Sequence, residues 1–365
     1  MGAALPSSFR IVTREDFDKV LDSADNVTDF FIATKEPVRV NVQGRNETVL
    51  NRLLDEGELR QIIYILGDEA SGLYDGIMSQ TKPRGRSYTT KSSLVRYRVL
   101  IARIADRGQG KIRIVMRRLQ SQPWELDKLR LPTGFLKVAF KRTPGLILVA
   151  GATGSGKTAL LSGILRAIVS NPDGHPHLVT IEDPVEYLYD EVRAPNAVVS
   201  PMEIGEGCSS FEEGLRASLR MKPTHILVGE IRDPETASTC IAAARSGHLV
   251  LATIHTSSVP EIFSRWADFY PESGKRRAIT DLAAVLDYAI YQTLDHNEMG
   301  FSPVQESIDF TQFSRSQLVG VLQKNVDDIY TTAHSLVKEF GTPHEVDWAT
   351  QNPNKARERA NANLV

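Results

Sequence analysis

The chain has 365 residues, 41% hydrophobic and 24% charged, with a formal net charge of −2. Length and composition are those of an ordinary globular protein of about two domains, and they exclude a wholly disordered chain, a collagen-like fibre and a coiled-coil rod. The longest apolar runs, Gly145–Ala150, Ile226–Gly229 and Leu249–Ile254, fall far short of the ~20 residues of a membrane span. Met1–Arg10 lacks the basic start and apolar core of a signal peptide, so a cytoplasmic location is expected. The two cysteines, Cys208 and Cys240, can build neither a disulfide framework nor a four-cysteine zinc site. Lys+Arg number 43 against 45 Asp+Glu, which gives no global basic excess, so no direct nucleic-acid partner is expected; from the cysteine count, no zinc is expected either.

In chain order, β-like runs come first: Phe30–Thr34, Val38–Val42, Leu94–Ala105 and Ile112–Leu119. Thr81–Thr90, with Pro83 and Gly85, reads as a turn-rich segment. Glu56–Leu66 repeats apolar residues at Leu59, Ile62, Ile63 and Leu66, a helical spacing. These elements predict a small α/β domain with a mixed or antiparallel sheet over residues 1–125, followed by a linker at 126–145. Beyond it, strands at Gly145–Ala150, Leu178–Ile181, Ile226–Gly229 and Leu249–Ile254 alternate with helices at Thr158–Val169 and Glu235–Arg245. Short buried runs alternating with helices predict a parallel, two-sided sheet over 146–345. Ser314–Phe340 shows an irregular polar helix pattern, and the polar, Asn-rich end at 346–365 reads as a flexible tail.

Gly151–Thr158 (GATGSGKT) fits G-x-x-x-x-G-K-[ST], with an apolar strand leading in and a helix leading out, the context of a phosphate-binding loop. Gly151, Gly154 and Gly156 permit positive φ and close backbone approach, so the N–H groups from Gly151 through Ala152, Thr153, Gly154, Ser155 and Gly156 to Ala159 can cup anionic oxygens at a helix N-terminus. Lys157 can neutralise the β- and γ-phosphates and Thr158 can offer its hydroxyl to Mg²⁺. The loop therefore predicts ATP and Mg²⁺ as ligands. Three carboxylates, Glu182, Asp183 and Glu186, follow a strand in Thr180–Tyr187 (TIEDPVEY); beside a triphosphate they suit metal coordination and general-base work on water, although a charge run alone is more often a solvated loop. In Ile226–Asp233 (ILVGEIRD) Glu230 projects from a strand tip, an atypical acid position because Gly229 stands where the ordinary pattern has the acid. Ser246–Thr256 (SGHLVLATIHT) brackets a strand with His248 and His255, whose odd separation puts them on opposite faces and argues against a shared metal site; each can instead sense phosphate or a neighbouring subunit, and both are expected among the nucleotide-site residues.

Together these four segments, in this order, resemble the secretion-superfamily ATPases, the hexameric motors of type II secretion, type IV pili and type IV secretion. In that family they are the Walker A loop, the aspartate box, the atypical Walker B and the histidine box. The resemblance covers Leu94–Leu294 and, more weakly, the N-terminal domain. It implies a RecA-like P-loop NTPase domain with a helical C-terminal part behind a smaller PAS-like α/β domain. It also implies Glu182 as general base, Glu230 as the acid supporting Mg²⁺ or water, and Thr158, Glu182 and Glu230 as the metal-facing set. Leu215–Pro223 resembles the family's arginine-containing helix, placing Arg216 and Arg220. Arg98 and Arg117 resemble the arginines that reach the nucleotide from the N-terminal domain, with Arg103, Arg107 and Arg113 as alternatives. Each of these is equally an ordinary outward position on an alternating strand.

The chain has neither a long extra N-terminal domain nor a paired C-x-x-C element, and no A-I-R-N-L-I-like stretch occurs in Phe301–Val365; Glu36 replaces the glycine of the family's G-x-P stretch. The resemblance is accordingly to the DotB/TraJ branch of type IVB secretion and conjugation, with the pilus retraction motor as the alternative. It implies a homo-hexamer working against inner-membrane secretion or pilus platform proteins, peripheral to that membrane. Two other classes share the core: a nucleic-acid translocase, which a steep salt slope would reveal, and an adaptor that binds ATP without turnover, for which Glu182 and Glu230 have no chemical use.

Overall fold

The computed structural model describes residues 5–344 apart from positions 25, 43, 68–71, 80–82, 107–108, 120–121, 130, 141–142, 298–299 and 325–327. Arg107 and the expected tail at 346–365 lie outside the described residues. The chain divides into two compact units, Met1–Ser121 and Gln122–Val365. Among the described residues no helix is long and apolar enough to cross a membrane.

The first unit contains α1 (Arg14–Asp22), β1 (Val27–Ala33), β2 (Val38–Val42), β3 (Arg45–Leu50), α2 (Glu56–Leu66), α3 (Leu73–Ser79), β4 (Arg84–Thr89), β5 (Arg96–Asp106) and β6 (Gln109–Arg118). Its strands form a six-stranded sheet in the order β3-β2-β1-β6-β5-β4, with every neighbouring pair antiparallel. Helix α2 spans the residues its periodicity predicts. Asp55 caps it in a reciprocal box with Glu58, and Leu59, Ile62, Ile63 and Leu66 are all buried in the core with Phe30, Tyr97 and Ile114.

Two features of this unit depart from expectation. The turn-rich segment holds β4, an edge strand of which only Tyr88 is buried. An edge strand needs hydrogen bonds on one side only, so it tolerates Gly85 and exposed arginines that mask its pattern. Counted back from Pro37, the glycine position of the G-x-P pattern is Lys35 rather than Glu36, and Lys35 adopts the positive φ. Glu36 instead pairs with Lys111 at 2.5 Å and Arg113 at 2.7 Å. Burial pushes the Glu36 carboxyl up, but these cations outweigh it and hold the group below its usual range.

The second unit opens with a 3₁₀ turn at Leu126–Leu129 and α4 (Thr133–Phe140). It continues through β7 (Gly145–Ala150), α5 (Lys157–Val169), β8 (His177–Glu182), β9 (Val198–Glu203), α6 (Phe211–Ser218), β10 (His225–Val228), α7 (Pro234–Arg245) and β11 (Leu249–Ile254). It closes with α8 (Val259–Asp268), α9 (Glu272–Ala283), β12 (Leu286–Asn297), β13 (Gly300–Asp309), a 3₁₀ turn at Phe310–Gln312, α10 (Arg315–Lys324), α11 (Ile329–Phe340) and β14 (Thr342–His344). Residues 126–145 are therefore not a linker. Phe135, Val138 and Ala139 of α4 are buried against Ile147 and Val149 of β7 and Tyr288 of β12, and burial of that apolar face binds the segment to the second unit.

The eight-stranded sheet runs β14-β13-β12-β7-β11-β10-β8-β9. From β9 to β12 the neighbours are parallel, whereas β13 and β14 are antiparallel additions. The sheet is thus mixed at one edge rather than parallel throughout. Strands β7 and β11 are buried at every position, as expected for strands covered on both faces, and this is why their apolar runs stand out in the sequence. The apolar cores lie on the two faces of this sheet.

Candidate functional site

The parallel strands end together. Ala150 of β7 is opposite Ile254 of β11, Val228 of β10 is opposite Ala252 of β11, and Val228 is opposite Ile181 of β8. The segments leaving these ends carry Gly151–Thr158, His255, Glu230 and the Glu182–Glu186 turn, so a single crevice edge collects all four motifs. This is where an open α/β sheet offers a ligand site.

The loop into α5 has the conformation its glycines predict. Gly151, Gly154 and Gly156 adopt φ of +153°, +80° and +84°. At Gly151 a Cβ would lie 2.4 Å from the Gln292 carbonyl oxygen, and at Gly156 2.8 Å from Gln292 Nε2, while Gly154 faces open space. Two of the glycines are therefore dictated by packing against β12, and the third by conformation. Ala152, Thr153 and Gly154 are exposed at the rim, Ser155 is buried beneath it, and Thr158 and Ala159 are half-buried in the first turn of α5.

Lys157 is 8% exposed. Its ammonium donates to the carbonyl oxygens of Gly151 and Ala152, both at 2.8 Å, and lies 3.4 Å from His255 Nδ1. Burial pulls this group below the usual lysine range, opposed by the charges of Glu230 and Glu186. His255 Nε2 is 3.1 Å from Glu230 Oε1, and Glu230 Oε2 takes an ion pair from Arg232 at 2.6 Å. The Glu230 carboxylate, offset against burial, raises the already high affinity of Arg232 for its proton. A chain of contacts therefore runs Lys157, His255, Glu230, Arg232.

Gly229 explains the displaced acid. Its N–H donates to Ile181 O at 2.8 Å, and a Cβ there would meet Ile181 O at 3.1 Å, the Phe211 ring at 3.3 Å and Glu182 Cα at 3.4 Å. A side chain at this position would crowd the end of β8. The acid stands one residue later, and Glu182 comes close to the same strand end. Glu182 is buried, Asp183 exposed and Glu186 half-buried, with the Asp183–Pro184 peptide bond cis.

One expected placement is corrected. His248 precedes β11 while His255 follows it, and the His248 carbonyl accepts from Gly145 N at the start of β7. It lies six residues down the strand from the loop, about 20 Å away at the strand rise, where its ring meets Ser246 and the Ala243 carbonyl. The histidines thus stand at opposite ends of β11, and His248 lies away from the phosphate loop. Both Glu230 oxygens are engaged in this structure, one by His255 and one by Arg232.

In the first unit Arg98 and Arg117 are opposite each other on β5 and β6. Both are exposed, with Arg117 Nε 2.8 Å from Asp29. Arg113 is committed to Glu36 and Arg103 to the Met78 carbonyl. In the second unit Arg216 sits on α6 paired with Glu212, and Arg220 lies beyond the helix end.

Three residues at the site escape a reading of the sequence. Arg232 falls within a recognisable motif, but no local signal marks it as the partner of Glu230. Gln292 Nε2 donates to Ser155 O at 2.8 Å across 137 residues, and Gln305 Nε2 donates to Gln292 Oε1 at 2.9 Å; both amides are buried. Gln292→Leu strands the Ser155 carbonyl and the Gln305 amide, at an expected cost of about 1–3 kcal/mol, or about 2–4 °C of thermal midpoint per kcal/mol. Adding Gln305→Leu should recover part of the loss, because one stranded group is removed. Simple addition of the two losses in thermal melts would show that the amides act separately.

The sequence profile of the Type II/IV secretion system protein family matches residues 80–310. YggR of Escherichia coli strain K12 is 34% identical over 270 residues, covering 74% of this chain and 78% of that protein. Among solved structures, the ATPase DotB of Legionella pneumophila aligns with a TM-score of 0.84 at 28% identity, over 98% of this chain and 95% of DotB. The pilus retraction motor PilT with bound ADP aligns at 0.72 and 26%, over 94% and 98%. With the four motifs gathered at one sheet edge, the chain belongs to the Type II/IV secretion system protein family and, within it, to the secretion-superfamily ATPases near DotB.

Proposed function

We propose that the chain hydrolyses ATP at the Gly151–Ala159 loop and that turnover drives a type IV secretion or conjugation machine of the DotB/TraJ kind. The observation that carries the reading is the contact chain Lys157–His255–Glu230 beneath the phosphate cradle, beside the Glu182 turn. The loop amides bind the phosphates and Lys157 turns from its own carbonyls to their β- and γ-oxygens. His255, between Lys157 and Glu230, registers the γ-phosphate. Glu182, at the end of β8, orients water and accepts its proton. Mg²⁺, when bound, would offset phosphate charge; Thr158, Glu182 and Glu230 would hold it, and Asp183 and Glu186 would line the same site.

Arg98 and Arg117 are proposed to supply guanidinium charge to the phosphates, completing a site in a homo-hexamer at the inner membrane. Support for the DotB branch is the alignment over nearly the whole chain; the PilT alignment supports pilus retraction as the second reading. Purified protein should release phosphate from ATP only with Mg²⁺, without stimulation by DNA. Absence of Mg²⁺-dependent turnover at any protein concentration would end the proposal. In cells, loss of conjugative or secretory transfer on deletion separates the first reading from the second, which predicts loss of pilus retraction.

A further inference from the structure

The carboxylate turn is held by a residue none of the motifs contains. Strands β8 and β9 are parallel, with Glu182 and Glu203 as register partners at their last residues. Side chains at paired positions of a parallel ladder lie on the same face of the sheet, so the two carboxylates leave β8 and β9 side by side. Both are nearly enclosed, 5% and 7% exposed. Beyond Glu182 the chain bends through Asp183 and Pro184, and Val185, itself buried, can no longer use a strand ladder for its N–H. A buried amide must find an acceptor. Here it donates to Glu203 Oε2 at 3.0 Å.

Two further bonds close the arrangement: Glu186 N donates to Glu182 Oε2 at 3.4 Å, and Ile204 N donates to the Glu182 carbonyl at 2.9 Å. The end of β9 thus grips the aspartate-box turn on both sides of its bend, by main chain at Glu182 and by the Glu203 carboxylate at Val185.

We propose that Glu203 is a positioning residue: by accepting the Val185 N–H it fixes the turn that aims Glu182 and Glu186 at the phosphate loop. This rests on the proposed ATP hydrolysis, and it assigns Glu203 no contact with nucleotide. The test compares Glu203→Gln, which keeps an acceptor at the same reach, with Glu203→Asp, which keeps the charge but retracts it by one methylene, and with Glu203→Ala.

Mg²⁺-dependent turnover and hydrogen exchange of the peptide spanning residues 182–189 are measured on each full-length protein without added partner. For Asp and Ala, kcat should fall about 10- to 100-fold, the effect of a misplacement near 1 Å. KM for ATP should stay within about threefold, the signature of lost orientation rather than lost binding. Gln should keep at least about a third of kcat, since acceptor geometry is retained. Exchange over 182–189 should accelerate at least about tenfold in Asp and Ala but not in Gln.

A loss in Gln as large as in Asp, or larger, would overturn the proposal, because acceptor reach would then not be what governs. A rise in KM matching the fall in kcat, or unchanged exchange in Asp, would also overturn it. If Glu203→Ala fails to fold, the Gln and Asp pair still decides. If the wild-type protein does not hydrolyse ATP, the functional reading falls by itself, while the exchange comparison still decides whether Glu203 holds the turn.

Discussion

Lys157→Ala should abolish turnover while leaving the fold intact. The ammonium is the one positive charge the phosphate loop itself carries, and in this structure it rests on the carbonyls of Gly151 and Ala152, close to His255. Withdrawing it from a developing phosphate charge should cost at least about 4 kcal/mol, a factor of about 10³ in kcat/KM. The stability change should be small, because burial already disfavours the charged form. Truncation removes that cost together with two hydrogen bonds, so the balance should stay within about 1 kcal/mol. Phosphate release and a thermal melt on the same sample separate the two. Wild-type turnover in the variant would show that hydrolysis happens elsewhere, and a large fall in midpoint would show that Lys157 is structural.

Trp266→Ala should give the largest loss of stability. Trp266 is fully buried on α8, in the cluster that includes Phe263, Ile279 and Leu282, with the Phe269 ring edge-on at 6.3 Å. Truncation to alanine removes the ring and leaves a cavity, at about 3–5 kcal/mol, which lowers the midpoint by about 6–20 °C at 2–4 °C per kcal/mol. Trp266→Phe should recover more than half of this. The indole N–H is buried without an acceptor among the described residues, so phenylalanine removes a stranded donor along with the volume it loses. If the phenylalanine variant melts as low as the alanine one, the indole N–H contributes something the packing does not reveal. The phosphate loop does not draw on α8, so kcat per folded molecule should be unchanged at low temperature.

Legibility in the sequence varies by element. The strands that flank the site are legible because β7 and β11 are buried on both faces, and a short, nearly continuous apolar run is the direct imprint of such burial. Helix α2 is legible because one face is apolar at helical spacing. By contrast, β12 and β13 leave no clear trace. They are long, partly polar strands whose buried positions include Gln292, Gln305 and Ser307, and buried amides do not register in a hydrophobic pattern. Strand β4 is hidden by its place at a sheet edge, and α4 resembles a linker because its eight residues are too short a helix to show a period.

The loop Gly151–Thr158 is legible in the sequence itself, because phosphate chemistry demands particular residues at fixed local spacing, whereas the proposed roles of Glu182, Glu230 and His255 rest on the family resemblance. Tertiary structure alone decides that Arg232 and His255 share the two oxygens of Glu230, and that Gln292 and Glu203 brace the loop and the turn from strands distant in the chain. Local spacing is fixed by covalent geometry, whereas contacts between strands depend on sheet order and register. Those follow from the burial of the whole apolar surface, which no single motif records.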